Sequence, residues 1–163
     1  MPSLREFGYD EFLMSAEEKI VIAVTPVDRV IDLRHAVLRK GLPRDEAIFA
    51  GDELATSLHI AAETGGRVVG CATFHLNAWQ GGPAYQLRGM ATDESVRRRG
   101  VGRSMLLFAE RELLARAMTH QLWCNARVPA VAFYQSMGWE VVSEVFEIPT
   151  AGPHVKMVRR LVP

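Results

Sequence analysis

The stretch Gln86-Leu-Arg-Gly-Met-Ala-Thr-Asp-Glu-Ser-Val-Arg-Arg-Arg-Gly-Val-Gly-Arg-Ser104, running on into Met105–Thr119, decides how this chain is read. It has the pattern of a strand, a short turn, and then arginines and glycines at the mouth of a long amphipathic helix. The first turn of a helix leaves backbone N–H groups unpaired and carries roughly half a positive charge, so it suits an anion. Gly100 and Gly102 remove the side chains that would hold a phosphate away from those N–H groups. Arg97, Arg98, Arg99 and Arg103 add guanidinium forks matched to phosphate oxygens. The chemistry implied is binding of a pyrophosphate.

Working outward, periodicity and breakers set the other elements. Ile20–Thr25 reads as a strand ended by Pro26, and Val27–Lys40 as a helix with Val30, Ile31, Leu33, Val37 and Leu38 on its apolar face. Asp45–Asp52 is irregular. Ser57–Glu63 and Arg67–Asn77 form a hairpin around Thr64-Gly65-Gly66, and Ala84–Thr92 is the third strand of that meander. The helix over about 98–119 puts Val101, Met105, Phe108, Ala109 and Leu113 on one side. Gln121–Ala126 is a strand, Ala130–Met137 a helix stopped by Gly138, and Trp139–Ile148 and His154–Leu161 the closing strands. The order predicts an α/β (α+β) fold, a mixed twisted sheet of about six to seven strands with helices on both faces. Residues 1–19 read as a loosely ordered or short helical extension docked by Phe7, Tyr9, Phe12 and Leu13. Residues 20–163 read as one domain without repeats or linkers.

Composition excludes several classes. The chain has 163 residues, 48% hydrophobic and 23% charged, as an ordinary globular domain does. Lysine plus arginine equals aspartate plus glutamate at 19 each, so no net field recruits nucleic acid or an anionic membrane. Five arginines between positions 88 and 103 instead make the positive charge local, as a small anionic ligand requires. Cys71 and Cys124 lie in apolar runs and form neither a secreted disulfide framework nor a metal motif, and no His/Cys/Asp cluster has metal-ligand spacing. With no signal-like segment and no apolar run near the ~18 residues of a membrane span, a cytoplasmic location is expected.

The arginine–glycine turn is neither a Walker A loop, which needs a lysine at position 103, nor the dinucleotide GxGxxG fingerprint. A second element lies about thirty residues on: Leu122-Trp-Cys-Asn-Ala-Arg127, then Ala132-Phe-Tyr-Gln-Ser-Met-Gly-Trp139. Together the two resemble the GNAT superfamily of acyl-CoA-dependent N-acetyltransferases, over roughly residues 56–160. The resemblance implies a sheet splayed at a coenzyme A site, with acetyl-CoA as cosubstrate. Its pyrophosphate would lie on Arg97, Arg98, Arg99, Gly100, Val101, Gly102, Arg103 and Ser104. Its pantetheine arm would pair with a bulged strand end at Met90, Ala91 and Thr92, where Thr92 replaces a frequent valine. Tyr134 stands where many members carry a tyrosine that protonates the departing thiolate, as a phenol with its ordinary pKa of about 10 can. Asn125 would contact the pantetheine amides, although the family's usual spacing puts Arg127 in that slot, and either residue could serve. The acetyl group would pass directly to a primary amine of a small molecule, amino acid or peptide, without an acyl-enzyme.

The acceptor side is less determined. His59, His75, Glu53 and Glu63 are candidate bases, and each also suits an ordinary core or surface position. Glu94 reads as a cap of the turn, and His154 as a structural turn residue. Trp79, Tyr85 and Trp123 could form an aromatic rim or simply pack in the sheet. Arg34, His35, Arg39, Arg44 and Asp45 lie in the stretch expected to wall the acceptor site, which suggests amino-acid-like acceptors. An edge strand near the C-terminus could pair in a homodimer. Two rival readings are a non-catalytic coenzyme A sensor or interaction module and a binding protein for another nucleotide.

Overall fold

The computed structural model describes residues 9–13 and 19–163. Nine strands form one mixed sheet: β1 (Tyr9–Leu13), β2 (Lys19–Val24), β3 (Leu58–Thr64), β4 (Arg67–Leu76), β5 (Tyr85–Thr92), β6 (Gln121–Arg127), β7 (Glu140–Val141), β8 (Phe146–Ile148) and β9 (Gly152–Arg160). Among the described residues three α-helices accompany them, α1 (Ile31–Leu38), α2 (Val101–Arg116) and α3 (Val131–Ser136). The spatial order is β1-β2-β3-β4-β5-β6-β9-β7, with β8 also on β9. Every pairing is antiparallel except β5 with β6, which the crossover through α2 makes parallel.

Strand alternation explains the two helical layers. Ile60, Ala62 and Ala72 point to the face covered by α2, where Val101, Met105, Phe108, Ala109 and Leu113 are all buried. Ala61, Cys71 and Ala91 point to the other face, against Val30 and Leu33 at the start of α1. The helices therefore flank the sheet, as the amphipathic patterns predict.

Three expectations need correction. The short helix at the N-terminus is instead strand β1 over Tyr9–Leu13, paired antiparallel with β2 so that β2 is not an edge. Phe7 lies outside the described residues. The long helix begins at Val101 rather than 98, because Arg98 (φ 62°) and Gly100 (φ 81°) hold left-handed backbone just before it, and it ends at Arg116 before Ala117 (φ 53°). The continuous strand over 139–148 is split into β7 and β8. Between them the Ser143 hydroxyl accepts the Lys156 N–H at 2.7 Å, replacing a ladder carbonyl and shifting the register with β9 by two residues. These extra pieces raise the strand count to nine.

Candidate functional site

The site forms where the sheet comes apart. β5 and β6 pair only over Tyr85–Leu87 with Leu122–Cys124, and beyond them β5 has no strand partner on that side. β5 is also bulged there: Cys71 pairs with Ala91 but Thr73 pairs with Arg88, so Gly89 and Met90 together oppose the single residue Ala72. Gly89 takes φ 61°, and a Cβ on it would come within 2.7 Å of Arg34 Nε and 2.9 Å of the Phe49 ring. Only glycine satisfies both the backbone conformation and the close contact.

Two cavities open on either side of this gap. The first, about 480 Å³, is lined by Met90, Ala91 and Thr92 of β5, by Arg97, Arg98, Gly100, Val101, Gly102 and Arg103, and by Phe133, Tyr134 and Met137. Ser104 N–H is paired with the Gly100 carbonyl at 3.0 Å, so the N–H groups of Val101, Gly102 and Arg103 precede the first α-helical bond. A Cβ at Gly102 would lie 3.3 Å from Met90 and Phe133, so any side chain there would fill the cradle. The arrangement suits an extended ligand with an anionic group at the helix start. Arg99 and Ser104 do not line this cavity. The turn before it is capped by Asp93, not Glu94: the Asp93 carboxylate accepts from Ser95 N–H at 3.0 Å and pairs with Arg67 at 3.3 Å.

Tyr134 lines both cavities, as do Met90 and Ala130. Its hydroxyl lies 3.6 Å from Met90 Sδ, and its ring packs on Phe133 and Trp139. Burial, with the neighbouring Cys124 adding to it, pushes the phenol well above its ordinary pKa, so Tyr134 holds its proton. Burial likewise pushes the Cys124 and Cys71 thiols up to about 12, which leaves neither as a thiolate nucleophile.

The second cavity, about 230 Å³, receives Arg39 from just beyond α1, Phe49, Gln86 and Arg88 from β5, Asn125 and Arg127 from β6, and His154 from β9. Asn125 and Arg127 thus line this side of the gap rather than the first cavity. Asn125 Oδ1 accepts from Lys156 Nζ at 3.0 Å. His154 Nδ1 lies 2.7 Å from the Gly152 carbonyl, to which it donates, so the lone pair of the neutral ring is on Nε2. His154 lies in β9 and lines this cavity rather than the turn, and its place just after Gly152-Pro153 gives no hint of that in the sequence.

Below the bulge lies a buried polar network that spans four elements. Arg34 is fully buried and donates to Asp52 Oδ2 at 2.6 Å and Oδ1 at 3.1 Å, to the Ala47 carbonyl, and to Thr73 Oγ1. Asp52 also accepts from the Phe49 N–H at 2.9 Å and lies 3.0 Å from His75 Nε2. His59 donates from Nε2 to the Asp52 carbonyl and accepts at Nδ1 from Thr73. Burial opposes ionisation of Asp52, but the hydrogen bonds from His75 and Arg34 outweigh it and hold the carboxyl well below the usual carboxylate range. Burial lowers the His59 pKa.

Several candidates are therefore placed elsewhere. His59 and His75 are locked into the network and line neither cavity. Glu63 pairs with Arg29 on the surface, and Glu53 is exposed. Of the five polar residues expected at the acceptor wall, only Arg39 lines the cavity. Arg34 is buried beneath it, Arg44 pairs with Asp32, His35 bonds the Leu42 carbonyl, and Asp45 is exposed. Trp79 and Trp123 pack on each other at 5.4 Å and Tyr85 is in the core, so these aromatics serve packing. Among the described residues no group of three or more His, Cys, Asp or Glu could hold a metal ion, and no helix is long and apolar enough to cross a membrane.

Residues 29–139 match the model of the acetyltransferase (GNAT) family. The chain is 30% identical over 138 residues to an uncharacterized N-acetyltransferase, YitI, of Bacillus subtilis (strain 168), an alignment covering 83% of this chain and 92% of that protein. Its fold is similar to that of Escherichia coli ElaA (TM-score 0.71, 21% identity, 93% and 98% of the two chains). It is also similar to that of an aminoglycoside 6'-N-acetyltransferase complexed with coenzyme A (TM-score 0.69, 14% identity, 87% and 97%). The chain belongs to the acetyltransferase (GNAT) family of acyl-transfer enzymes.

Proposed function

We propose that the protein transfers an acetyl group from acetyl-CoA to a primary amine of a small molecule, amino acid or peptide. The observation that carries the reading is the meeting of the two cavities at Met90, Ala130 and Tyr134, just where β5 and β6 part. Coenzyme A would lie in the first cavity, its pyrophosphate on the N–H groups of Val101, Gly102 and Arg103 with Arg97 and Arg98 beside them. Its arm would run along Met90–Thr92. The amine would enter from the second cavity. Its nitrogen bonds to the acetyl carbon as the carbon–sulfur bond breaks, Tyr134 gives its proton to the departing thiolate, and the amine proton leaves on the acceptor side. The raised pKa values of both cysteines support direct transfer over an acyl-enzyme.

His154 supports a role in taking that amine proton, because its Nε2 lone pair is fixed by the Nδ1–H bond to Gly152. His154→Gln is expected to lower kcat/KM about tenfold or more across amines. An unchanged kcat/KM would remove His154 from that role.

Calorimetric titration with acetyl-CoA, with ATP and NAD as controls, tests the donor site. Acetyl-CoA alone is expected to bind, and Gly102→Glu to weaken it about tenfold to a hundredfold by filling the cradle and placing a negative charge at the helix start. Equal binding of ATP or NAD, or a Gly102→Glu variant that binds normally, would overturn the reading. Binding without transfer to any amine would point to the non-catalytic module.

A further inference from the structure

The second cavity carries three guanidinium groups and no carboxylate. Arg39, Arg88 and Arg127 line it, its other polar side chains include Gln86, Asn125, Tyr134 and His154, and no Asp or Glu is among its walls. Among the described residues none of the three arginines has an ion-pair partner. Arg39 donates to the Leu38 carbonyl at 3.0 Å, Arg127 lies 3.5 Å from that same oxygen, and the Arg88 guanidinium has no hydrogen bond among the described residues. Each guanidinium has five N–H donors, so most of this capacity is uncommitted. Phe49 orders two of them: Arg88 lies 4.6 Å and Arg39 5.4 Å from its ring centroid.

The nearest carboxylate charges do not neutralise the group. Glu46 acts on Arg39 only through space, and Asp52, which acts on Arg88, is already engaged by Arg34 and His75. Burial first, and then the neighbouring guanidinium groups, push Arg39 and Arg88 below the usual arginine range. Arginines assembled in this way in a half-buried cavity are completed by an anion.

We propose that the acceptor is an anionic amine whose carboxylate is held by Arg39, Arg88 and Arg127, with its amine directed to the Met90–Tyr134 gap. The proposal rests on the acyl-transfer reading and adds a charge requirement to it. The arrangement also has a chemical consequence for the reacting nitrogen. An amine carried into a positive cavity is disfavoured as its ammonium form, so the same arginines that hold the carboxylate promote the neutral nucleophile. A simple cationic amine gains nothing from the arginines and is repelled by them.

The test uses matched acceptors: α-amino acids against their carboxamides, and ω-amino acids against alkylamines of the same length, each assayed for acetyl transfer at saturating acetyl-CoA. The carboxylate member of a pair is expected to have kcat/KM about tenfold or more above its neutral partner. Arg88→Gln and Arg127→Gln are each expected to cut the acid-to-carboxamide ratio of kcat/KM about tenfold, through KM for the acid. Carboxamides that react as well as the acids, or variants that impair both alike, would overturn the proposal. If acetyl-CoA binds but no amine is acetylated, the transfer reading fails on its own. The anion site is then read directly by titrating the coenzyme A-loaded protein with the same carboxylates: binding lost in Arg88→Gln sustains it, and no binding refutes it.

Discussion

Replacing Asp52 with alanine is expected to destabilise the protein by about 3–5 kcal/mol, because it leaves the Arg34 charge buried without its partner. Arg34 is fully buried, and its two Nη atoms reach Asp52 at 2.6 and 3.1 Å. The same substitution strands His75 Nε2 and the Phe49 N–H, both bonded to that carboxylate. Urea unfolding gives the difference, read as a lower midpoint at unchanged slope. A loss below about 1 kcal/mol would mean that water reaches Arg34 and the network is not sealed. The pH dependence follows from the depressed Asp52 pKa. A carboxyl whose folded pKa lies below its unfolded value of about 3.9 contributes stability that is present above that value and is lost as pH falls through the folded pKa. The contribution of the Asp52 carboxyl itself should therefore be flat from about pH 5 to 8 and be lost only in strong acid. His59, with its lowered pKa, weakens the wild type at milder acidity, because the unfolded chain takes up that proton first below about pH 6.5.

Tyr134→Phe is the corresponding test of chemistry. The phenol is buried at the junction of the two cavities and holds its proton, so removing it deletes a donor while keeping the packing with Phe133 and Trp139. As a general acid to the departing thiolate, Tyr134 is expected to contribute about a hundredfold or more to kcat. KM for acetyl-CoA should stay within about threefold, since the ring remains in place. Because burial raises its pKa, Tyr134 should impose no alkaline limb on kcat below about pH 10. Steady-state rates at saturating concentrations of both substrates, from pH 6 to 9, decide the matter. A variant with full kcat would reduce Tyr134 to a packing residue, and solvent would then supply the proton.

The elements that carry strong local signals were legible in the sequence. Amphipathic spacing in α2 and turn residues at Gly65-Gly66 and Gly138 placed the helices and the central meander, and the arginine–glycine turn placed the first cavity. What the sequence hid depends on contacts between distant positions. Strand β1 exists through its pairing with β2, and the break between β7 and β8 through one hydroxyl bond from Ser143. Arg34 falls among the apolar positions Val30, Ile31, Val37 and Leu38 of its helix, but the partners that let it be buried come from position 52, on a loop, and from position 73, on β4. The cluster of Arg39, Arg88 and Arg127 is similar, since nothing in a linear reading brings positions 39, 88 and 127 to one cavity. His154 follows Pro153 and so reads as a turn residue, while it lines a cavity that only the third dimension creates.

The three-pair joint between β5 and β6 also bears on how the chain assembles. In one half of the sheet, strands β1 to β5 pair antiparallel in sequence order, with β3, β4 and β5 forming a meander of consecutive strands. The other half, β6 with β7, β8 and β9, is attached to it through Leu122–Cys124 and through the helices that bridge the junction. Closing that parallel seam requires the crossover through α2. A molecule seated across the gap would touch both halves at once. A ligand in that opening would thus fasten the two halves of the sheet together, and the bound protein should resist unfolding as a single piece.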